Sequence, residues 1–388
     1  MRIIHTGDWH IGKLVHGVHM TQDQGHILKQ FIKYVQQTKP DVIIISGDLY
    51  DRSVPPTEAV ELLDQVLSEL IVTLKVKVIA IAGNHDSPDR LSFATQMLQK
   101  NGLYIRGRMT ERITPIVLED AFGEVCFYPI PYAEPAMLRE IYGDDTIRTH
   151  DQGMKHVLET IKDELEPNKR SVCIAHGYIA GGESLVTSES ERPLSIGGTE
   201  TIHVDYFTEF NYVALGHLHQ PQKVKYPHIR YAGSLMKYSF SEVHQSKSIT
   251  VIDLDEKGRA SIDLVSFEPL RDMRRIKGQL NQLIQPDVYL ETNTKDYIMA
   301  VLTDRGELID AMEKLRQVYP NTLRLERESI QGKDGDQQTS AGDQFTKKNP
   351  IELFEEFYIN SSGEEFDEQR RDYVSLVFED VLKKERQE

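Results

Sequence analysis

Thiols are nearly missing from this chain. Cys126 and Cys173 are its two cysteines in 388 residues, and both lie in apolar, strand-like runs, "EVCFYPI" and "SVCIAH". They read as buried free thiols, which excludes a disulfide framework and a thiolate metal site. Long apolar runs are missing too, since none approaches the ~20 residues that a membrane span needs. The N-terminus, "MRIIHTGDWH", enters a strand-like run with no basic-then-apolar leader, so a cytoplasmic protein is expected. No Gly-x-x-x-x-Gly-Lys-Ser/Thr phosphate loop occurs, and hence no ATP site is expected in this chain. Positive charge is also short: the formal net charge is −16, which taken alone argues against nucleic acid. The excess is uneven, because residues 350–388 hold 12 Asp and Glu against 5 Lys and Arg. A local site can therefore still hold a polyanion.

What is present is regular alternation. Strand-like runs at 2–6, 41–47 and 76–83 are separated by helical periodicity at 25–37 and 57–75, and a further helix is predicted over 89–102, closed by Asn-Gly. Continuous apolar strands between helices imply a sheet covered by helices. From about 113 the sequence becomes strand-rich, with one helix-like stretch at 151–165. Two sheets packed face to face with helices outside fit this element sequence, an α/β (α+β) class. After about 270 a small α/β unit of roughly 60 residues follows. Residues 331–349 are polar and Gly-containing and read as a flexible linker. Beyond it, apolar positions Ile351, Leu353, Phe354, Phe357 and Tyr358, then Tyr373, Val374, Val377, Phe378, Val381 and Leu382, predict two short amphipathic helices. They have little core of their own and are expected to dock on a partner.

Polar residues follow five apolar runs. After "RIIHT" come Asp8 and His10; after "DVIIIS", Asp48 and Asp51; after "VKVIAIA", Asn84, His85 and Asp86; after "SVCIA", His176; after "NYVAL", His217 and His219. Ligands bind at the carboxyl ends of strands in open α/β sheets, so the five can converge. A lone strand-end Asp is more often a cap or turn former, and a lone buried His more often a satisfied core residue; five such clusters together are harder to explain structurally. Asp8, His10, Asp48, Asn84, His176, His217 and His219 form a mixed N/O set too large for one ion. The set suits two ions sharing a carboxylate, the clamp used in phosphoester hydrolysis. On an extended segment, residues i and i+2 share a side, so "DWH" and "HLH" should each send both polar side chains to the metals. The glycine before each cluster should let backbone approach an ion or phosphate. Such ligands suit Mn²⁺, with Mg²⁺, Fe²⁺ or Zn²⁺ as alternatives.

"GDWHIG", "GDLYD", "GNHD", "HG" and "GHLH", in this order, resemble the five motifs of the calcineurin-like metallophosphoesterases. More narrowly, residues 181–200 and 231–254 resemble segments of the SbcD family, nuclease subunits that work with the SMC-like ATPase SbcC in DNA repair, recombination and replication. The resemblance spans essentially the whole chain. It implies a four-layer αββα nuclease domain over 1–270, a capping domain over 271–330, the linker at 331–349 and an SbcC-binding tail at 350–388. It also implies one metal on Asp8, His10, Asp48 and His219, and a second on Asp48, Asn84, His176 and His217, with Asp48 bridging. His85 would protonate the leaving oxygen. Some relatives carry a second His where this chain has Asp51, so Asp51 is expected to orient a neighbour instead; Asp86 is expected to orient backbone or an imidazole. Lys13, Arg52 and Arg90, with Arg106 and Arg108, are candidates for the DNA backbone. Leu63, Leu67, Phe93 and Met97 read as core or as a homodimer contact within a heterotetramer. The expected reaction is metal-dependent exonuclease and endonuclease cleavage of DNA at the nucleoid. Two rivals are a small-molecule phosphomonoesterase or cyclic-nucleotide phosphodiesterase, and a non-catalytic scaffold with a relic site.

Overall fold

The computed structural model describes residues 1–328 apart from 167–168, 195–199 and 305–307, and beyond them 354–355, 358, 366–367, 370–371 and 373–374. Met1–Glu328 and Ser329–Glu388 are separate compact units. The linker expected at 331–349 lies outside the described residues, as does most of the tail, including Ile351, Leu353, Phe357, Val377, Phe378, Val381 and Leu382. Within the second unit, Phe366 sits against the rings of Phe354 and Tyr358, with centroids 5.9 and 5.4 Å away.

The first unit begins with four strands, β1 (Arg2–Thr6), β2 (Val42–Ile45), β3 (Lys77–Ile81) and β4 (Leu103–Arg106). They pair in parallel in that order. The chain then builds a second sheet from β5 (Ile116–Asp120), β6 (Gly123–Ile130), β7 (Arg170–His176), β8 (Tyr212–Gly216), β9 (Gln222–Val224) and β10 (Tyr226–Tyr231). Its order is β9-β10-β8-β7-β6-β5, with β10, β8, β7 and β6 parallel. Strands β11 (Ile249–Leu254) and β12 (Ala260–Val265) return to the first sheet as antiparallel additions beside β1. Each sheet thus has four parallel strands, with antiparallel strands at its margins.

Both faces of each sheet are covered, which is why the strands read as unbroken apolar runs. Alternate side chains serve different layers. Ile44, Ile79 and Ile81 meet Phe127, Val172 and Ile174 between the sheets. Ile43, Ile45 and Val78 face outward onto Ile27, Phe31 and Val35 of α1 (Thr21–Thr38) and Leu63 and Val66 of α2 (Thr57–Ser68). On the far side, Tyr128, Cys173 and Val213 pack against Leu138, Met154, Val157 and Leu158, carried by helices Pro135–Tyr142 and His150–Lys162. This is the expected αββα stack, and Cys126 and Cys173 are free and buried in it. Strands β13 (Met273–Gly278), β14 (Tyr297–Leu302) and β15 (Thr322–Arg327) form a third, parallel sheet. One face packs on Leu280, Leu283, Leu315 and Tyr319, and the other sends Met273, Tyr297, Met299 and Val301 into the core beside α1.

Two helices differ from expectation. The run at 57–75 stays α-helical to Ser68 and then widens into a π-helical turn over Glu69–Thr73. The single helix predicted at 89–102 is two short ones, Pro88–Leu91 and Thr95–Gln99, broken where Ala94 takes a left-handed conformation (φ 57°). Leu91 and Leu98 still pack on the core, while Phe93 and Met97 are 81% and 72% exposed. Leu63 is a core residue, and Leu67 packs against the same core.

The inter-sheet layer should dominate stability. Phe127→Ala is expected to lower unfolding free energy by about 3–5 kcal/mol. Val117→Ala, at an exposed position of β5, should change it by under ~0.5 kcal/mol. Urea unfolding of the two variants checks the contrast.

Candidate metal centre

All five strand-end clusters meet at one edge of the paired sheets. The loop after β1 is tied to the loop after β2 by backbone bonds, Asp8 N–H to Gly47 O (3.1 Å), His10 N–H to Asp48 O (2.9 Å) and Ile11 N–H to Leu49 O (3.0 Å). Gln24 of α1 pins the same loop, donating to the carbonyls of Trp9 (3.1 Å) and His10 (2.7 Å) and accepting from Gly12 N–H (3.0 Å). The route to convergence is not the extended one. Asp8, His10 and Asp48 are left-handed (φ 51°, 45° and 51°) and His217 has φ 114°. Asp8 and His10 converge because the chain coils off the strand, at a conformational cost that non-glycine residues bear mainly at functional sites.

The glycines also have a different reason from the one expected. A Cβ on Gly47 (φ 101°) would lie 2.3 Å from His176 Nδ1, and one on Gly83 would lie 2.2 Å from Asp48 Oδ1. These positions are bare because side chains from neighbouring strand ends pass over them.

Within the cluster, Asp8, His10 and His219 can bring ligand atoms within 4.8 Å of one another, and so can Asp8, Asp48 and His176. Asp48 Oδ2 lies 3.6 Å from His10 Nε2 and 3.4 Å from His176 Nε2, between the two groups. Asn84 Oδ1 is 2.9 Å from His176 Nε2. His217 donates its backbone N–H to Asp8 Oδ1 (2.9 Å), and its ring centroid lies 5.6 Å from that of His176. Every candidate ligand except Asn84 is buried; Asn84 is half-buried.

Electrostatics explains what such a cluster needs. Burial alone would depress His176, but the Asp48 and Asp8 carboxylates outweigh it and raise the imidazole to about 9. Burial and the Asp48 charge push Asp8 well above the usual carboxylate range. Burial opposes ionisation of Asp48, yet His176 and His10 hold it well below that range. Burial drives His10 down to about 3 and His217 and His219 down as well. The buried groups thus displace one another's proton affinities, His176 and Asp8 upward and Asp48 downward.

The donor geometry fits divalent cations. His176 Nδ1–H donates to Ser46 O (2.9 Å), so its Nε2 faces the oxygens of Asn84 and Asp48 and calls for a proton or a cation. His10 and His219 point their Nε2 atoms at each other, 3.0 Å apart. Their Nδ1 atoms face carboxylates, Asp51 Oδ1 at 3.6 Å and Glu242 Oε1 at 3.4 Å. Placing Nδ1–H on both rings leaves two lone pairs opposed unless a cation takes both. Asp8 Oδ2 and His10 Nδ1 are buried without a hydrogen-bond partner among the described residues. Orphaned atoms of this kind call for an unseen ion or water.

The flanking residues take distinct places. His85 Nδ1–H donates to the backbone carbonyl of Asp51 (2.7 Å), and its backbone N–H donates to Asp48 Oδ1 (2.9 Å). The carbonyl of residue 51, invisible to motif reading, is therefore what orients His85. The Asp51 side chain accepts from Lys13 Nζ (2.8 Å) beside His10. Of the two roles expected for Asp86, the structure shows the backbone one. It accepts from Leu49 N–H (3.1 Å), Tyr50 N–H (3.0 Å) and Gly83 N–H (3.0 Å), while burial and the Asp48 charge lift it to about 7. Lys13 does not stand on open surface as a DNA contact would: it is 9% exposed and committed to Asp51. Arg52 and Arg90 are exposed near the centre in sequence, Arg106 is half-buried, and Arg108 pairs with Asp89.

Residues with no motif signal also reach the cluster. His219 Nδ1 is 2.6 Å from Ser190 Oγ, and its backbone N–H donates to Glu191 Oε1 (2.7 Å). Glu242, fully buried, pairs with Lys247 at 2.6 Å. A Ser or Glu 23 to 29 positions from its partner leaves no local pattern to read.

The calcineurin-like phosphoesterase profile matches residues 1–221, and that of the type 5 capsule protein repressor C-terminal domain, SbcD_C, matches residues 269–362. A curated relative, the SbcD subunit of the SbcCD nuclease of Staphylococcus epidermidis, is 34% identical over 385 residues, covering 99% of this chain and 100% of its own. The chain belongs to the calcineurin-like phosphoesterases. Within that class it belongs to the SbcD family. Two solved structures overlap more loosely. TT1561 of Thermus thermophilus has TM-score 0.39 and 14% identity, covering 68% of this chain and 98% of its own. A dimetal phosphatase from Danio rerio has TM-score 0.40 and 12% identity, covering 69% and 99%.

Asp86→Ala removes the acceptor of three backbone N–H groups. It should destabilise the metal-free protein by about 1–3 kcal/mol and lower metal content, although Asp86 is not among the candidate ligands. Asp86→Asn, which keeps one acceptor oxygen, should lose less. Urea melts and metal analysis after dialysis test both, and wild-type behaviour of Asp86→Ala would show that the three bonds are dispensable.

Proposed function

We propose that this chain is the nuclease subunit of an SbcCD-type complex and hydrolyses DNA phosphodiesters. The observation that carries the reading is the buried set Asp8, His10, Asp48, His176 and His219, with the Nε2 atoms of His10 and His219 3.0 Å apart, in a chain related end to end to an SbcCD nuclease subunit. Asp8, His10, Asp48 and His219 would hold one divalent ion; Asp48, Asn84, His176 and His217 would hold the other, with Asp48 shared. Bound there, the two ions would acidify water and neutralise phosphoryl oxygens as charge builds. The all-N/O donor set admits Mn²⁺, Mg²⁺, Fe²⁺ or Zn²⁺, and the family resemblance points to Mn²⁺.

The chain's own residues do the rest. Ser46 O fixes the His176 ring through Nδ1, so that Nε2 faces the site. The Asp51 carbonyl holds His85 at Nδ1, leaving Nε2 as the nitrogen that hands a proton to the departing DNA oxygen. A deoxyribose alkoxide is a poor leaving group, and such a proton is worth about 10²–10⁴-fold. Arg52 and Arg90 are the exposed cations assigned to the DNA backbone.

With the ATPase SbcC, the activities proposed are ATP-dependent 3′–5′ exonuclease on double strands and endonuclease on single strands and hairpins. Residues 1–270 form the nuclease domain, 271–330 the cap and 350–388 the SbcC-docking tail beyond the 331–349 linker. Two chains would pair through the 57–75 and 89–102 region, where Phe93 and Met97 are exposed. Among the described residues no helix is long and apolar enough to cross a membrane; a cytoplasmic, nucleoid-associated enzyme is proposed.

His85→Ala should keep two metal equivalents and DNA affinity while cleavage of a Mn²⁺-loaded hairpin substrate falls about 10²–10⁴-fold. If metal content falls in step with cleavage, His85 is a ligand and its assigned role is wrong. The nuclease reading itself requires Mn²⁺-dependent DNA cleavage in excess of p-nitrophenyl phosphate hydrolysis.

Truncation after residue 340 should abolish co-purification with SbcC and leave metal binding intact. Retained co-purification would place the docking surface elsewhere.

A further inference from the structure

His219 is gripped at three points. Its backbone N–H donates to Glu191 Oε1 (2.7 Å), its backbone carbonyl accepts from Lys247 Nζ (2.8 Å), and its ring Nδ1 meets Ser190 Oγ (2.6 Å). Ser190 in turn donates its hydroxyl to Glu242 Oε1, which also accepts from Ser188 Oγ (2.7 Å). The other oxygen of Glu242 accepts from Tyr238 N–H (3.2 Å) and pairs with Lys247 (2.6 Å). The result is a directed relay, from His219 Nδ1–H to the Ser190 hydroxyl to a buried carboxylate. A histidine that only filled space would need no buried Glu–Lys pair directly behind it.

Two of the three grips come from residues 188–191. That stretch has no helix or strand of its own among the described residues. Nearby, Gln222 ties it to the second sheet through Val186, at 3.0 and 2.8 Å. A hydroxyl that both accepts from Nδ1–H and donates to a carboxylate fixes the tautomer, turns Nε2 toward His10 and raises its donor strength. Such outer partners of a metal-binding His are typically worth 10–100-fold in metal affinity.

We infer that Ser190 and Glu191, backed by Glu242 and Lys247, are positioning residues for His219, so that the 188–191 segment and the cation at His10 and His219 stabilise each other. The inference rests on the dimetal reading of the centre. A cation on Nε2 demands the Nδ1–H tautomer that Ser190 accepts, so occupancy should hold the segment down. By linkage, a docked segment should tighten the cation by the same factor. Anything that lifts 188–191 then loosens one metal and leaves the other in place.

The test uses full-length protein and Mn²⁺ alone. Wild type should bind two equivalents, and Mn²⁺ should slow amide exchange across residues 185–194. Ser190→Ala and Glu242→Gln should each weaken one equivalent by about 10–100-fold and spare the other, and the exchange protection should be lost. Ser190→Thr, which keeps the hydroxyl, should restore both properties. If both equivalents bind Ser190→Ala as tightly as wild type, or if Mn²⁺ leaves exchange at 185–194 unchanged in wild type, the inference is overturned. Should Glu242→Gln fail to fold, the Ala and Thr variants of Ser190 still decide. A wild-type chain that binds no Mn²⁺ would instead overturn the dimetal reading, a separate and recognisable result.

Discussion

Two carboxylates and four imidazoles lie buried together at the carboxyl ends of the sheets, and the rest of the site follows from making that tolerable. A buried charge is costly unless paired and hydrogen-bonded. Asp8 and Asp48 lie close enough for the charge of one to raise the other. Burial and the neighbouring carboxylate raise Asp8, and the two carboxylates raise His176, so the cluster resists carrying two bare negative charges. Divalent ions held there would offset those charges, and metal binding would become part of folding energetics. The same charge balance explains the outer ring of partners. Two imidazoles whose Nε2 atoms face the centre have Nδ1 hydrogen-bonded to an acceptor from an unrelated part of the chain, Ser46 O for His176 and Ser190 Oγ for His219. His10 Nδ1 faces the Asp51 carboxylate only at 3.6 Å.

The two-sheet stack is what allows so many ligands to be rigid at once. Strands β1, β2 and β3 come from one sheet, and β7 and β8 from the other. The apolar layer around Phe127, Ile44 and Ile174 locks the sheets together. Ser46 shows how tight the seam is: its carbonyl reaches across from the first sheet to His176 at the end of β7. The left-handed backbone at Asp8, His10 and Asp48 is sustained only on such a base, because a mobile loop would relax it. Asp86 has the same purpose at a smaller scale. It converts the loop after β3 into a splint for the loop after β2, with three backbone N–H groups on one carboxylate.

What the sequence made legible was chemistry attached to periodicity. Each ligand sits just past an apolar strand, so strand and motif reinforce one another, and the layered fold follows from the same runs. What it hid was everything that depends on long-range contact or on backbone. Ser190 and Glu242 are ordinary residues until the fold sets them beside His219. The Asp51 carbonyl has no side-chain signature. Asp8 and His10 do converge, but through coiled backbone rather than the extended segment that their i, i+2 spacing suggests. The single helix predicted at 89–102 is broken at Ala94, and of its apolar residues Leu91 and Leu98 face the core while Phe93 and Met97 face outward. A 3.6-residue period cannot tell a core face from an exposed one. Lys13 departs from expectation for a related reason: a lysine beside a motif reads as a phosphate contact until its partner, Asp51, is seen.

The acidic balance then needs a physical answer, since a chain of net charge −16 is proposed to act on a polyanion. Basic side chains near the centre do not supply it. Lys13 is engaged by Asp51, Arg108 by Asp89, and Lys247 by Glu242. Arg52 and Arg90 are exposed but few. Two divalent cations would add four positive charges, against the two carboxylates of Asp8 and Asp48, at the one place where phosphate must sit. Much of the negative excess belongs to residues 350–388, in the other compact unit. On this view the isolated subunit should grip a phosphodiester through its metals and hold little else of the duplex. The long, sequence-independent grip on the DNA backbone would then have to come from the ATPase partner.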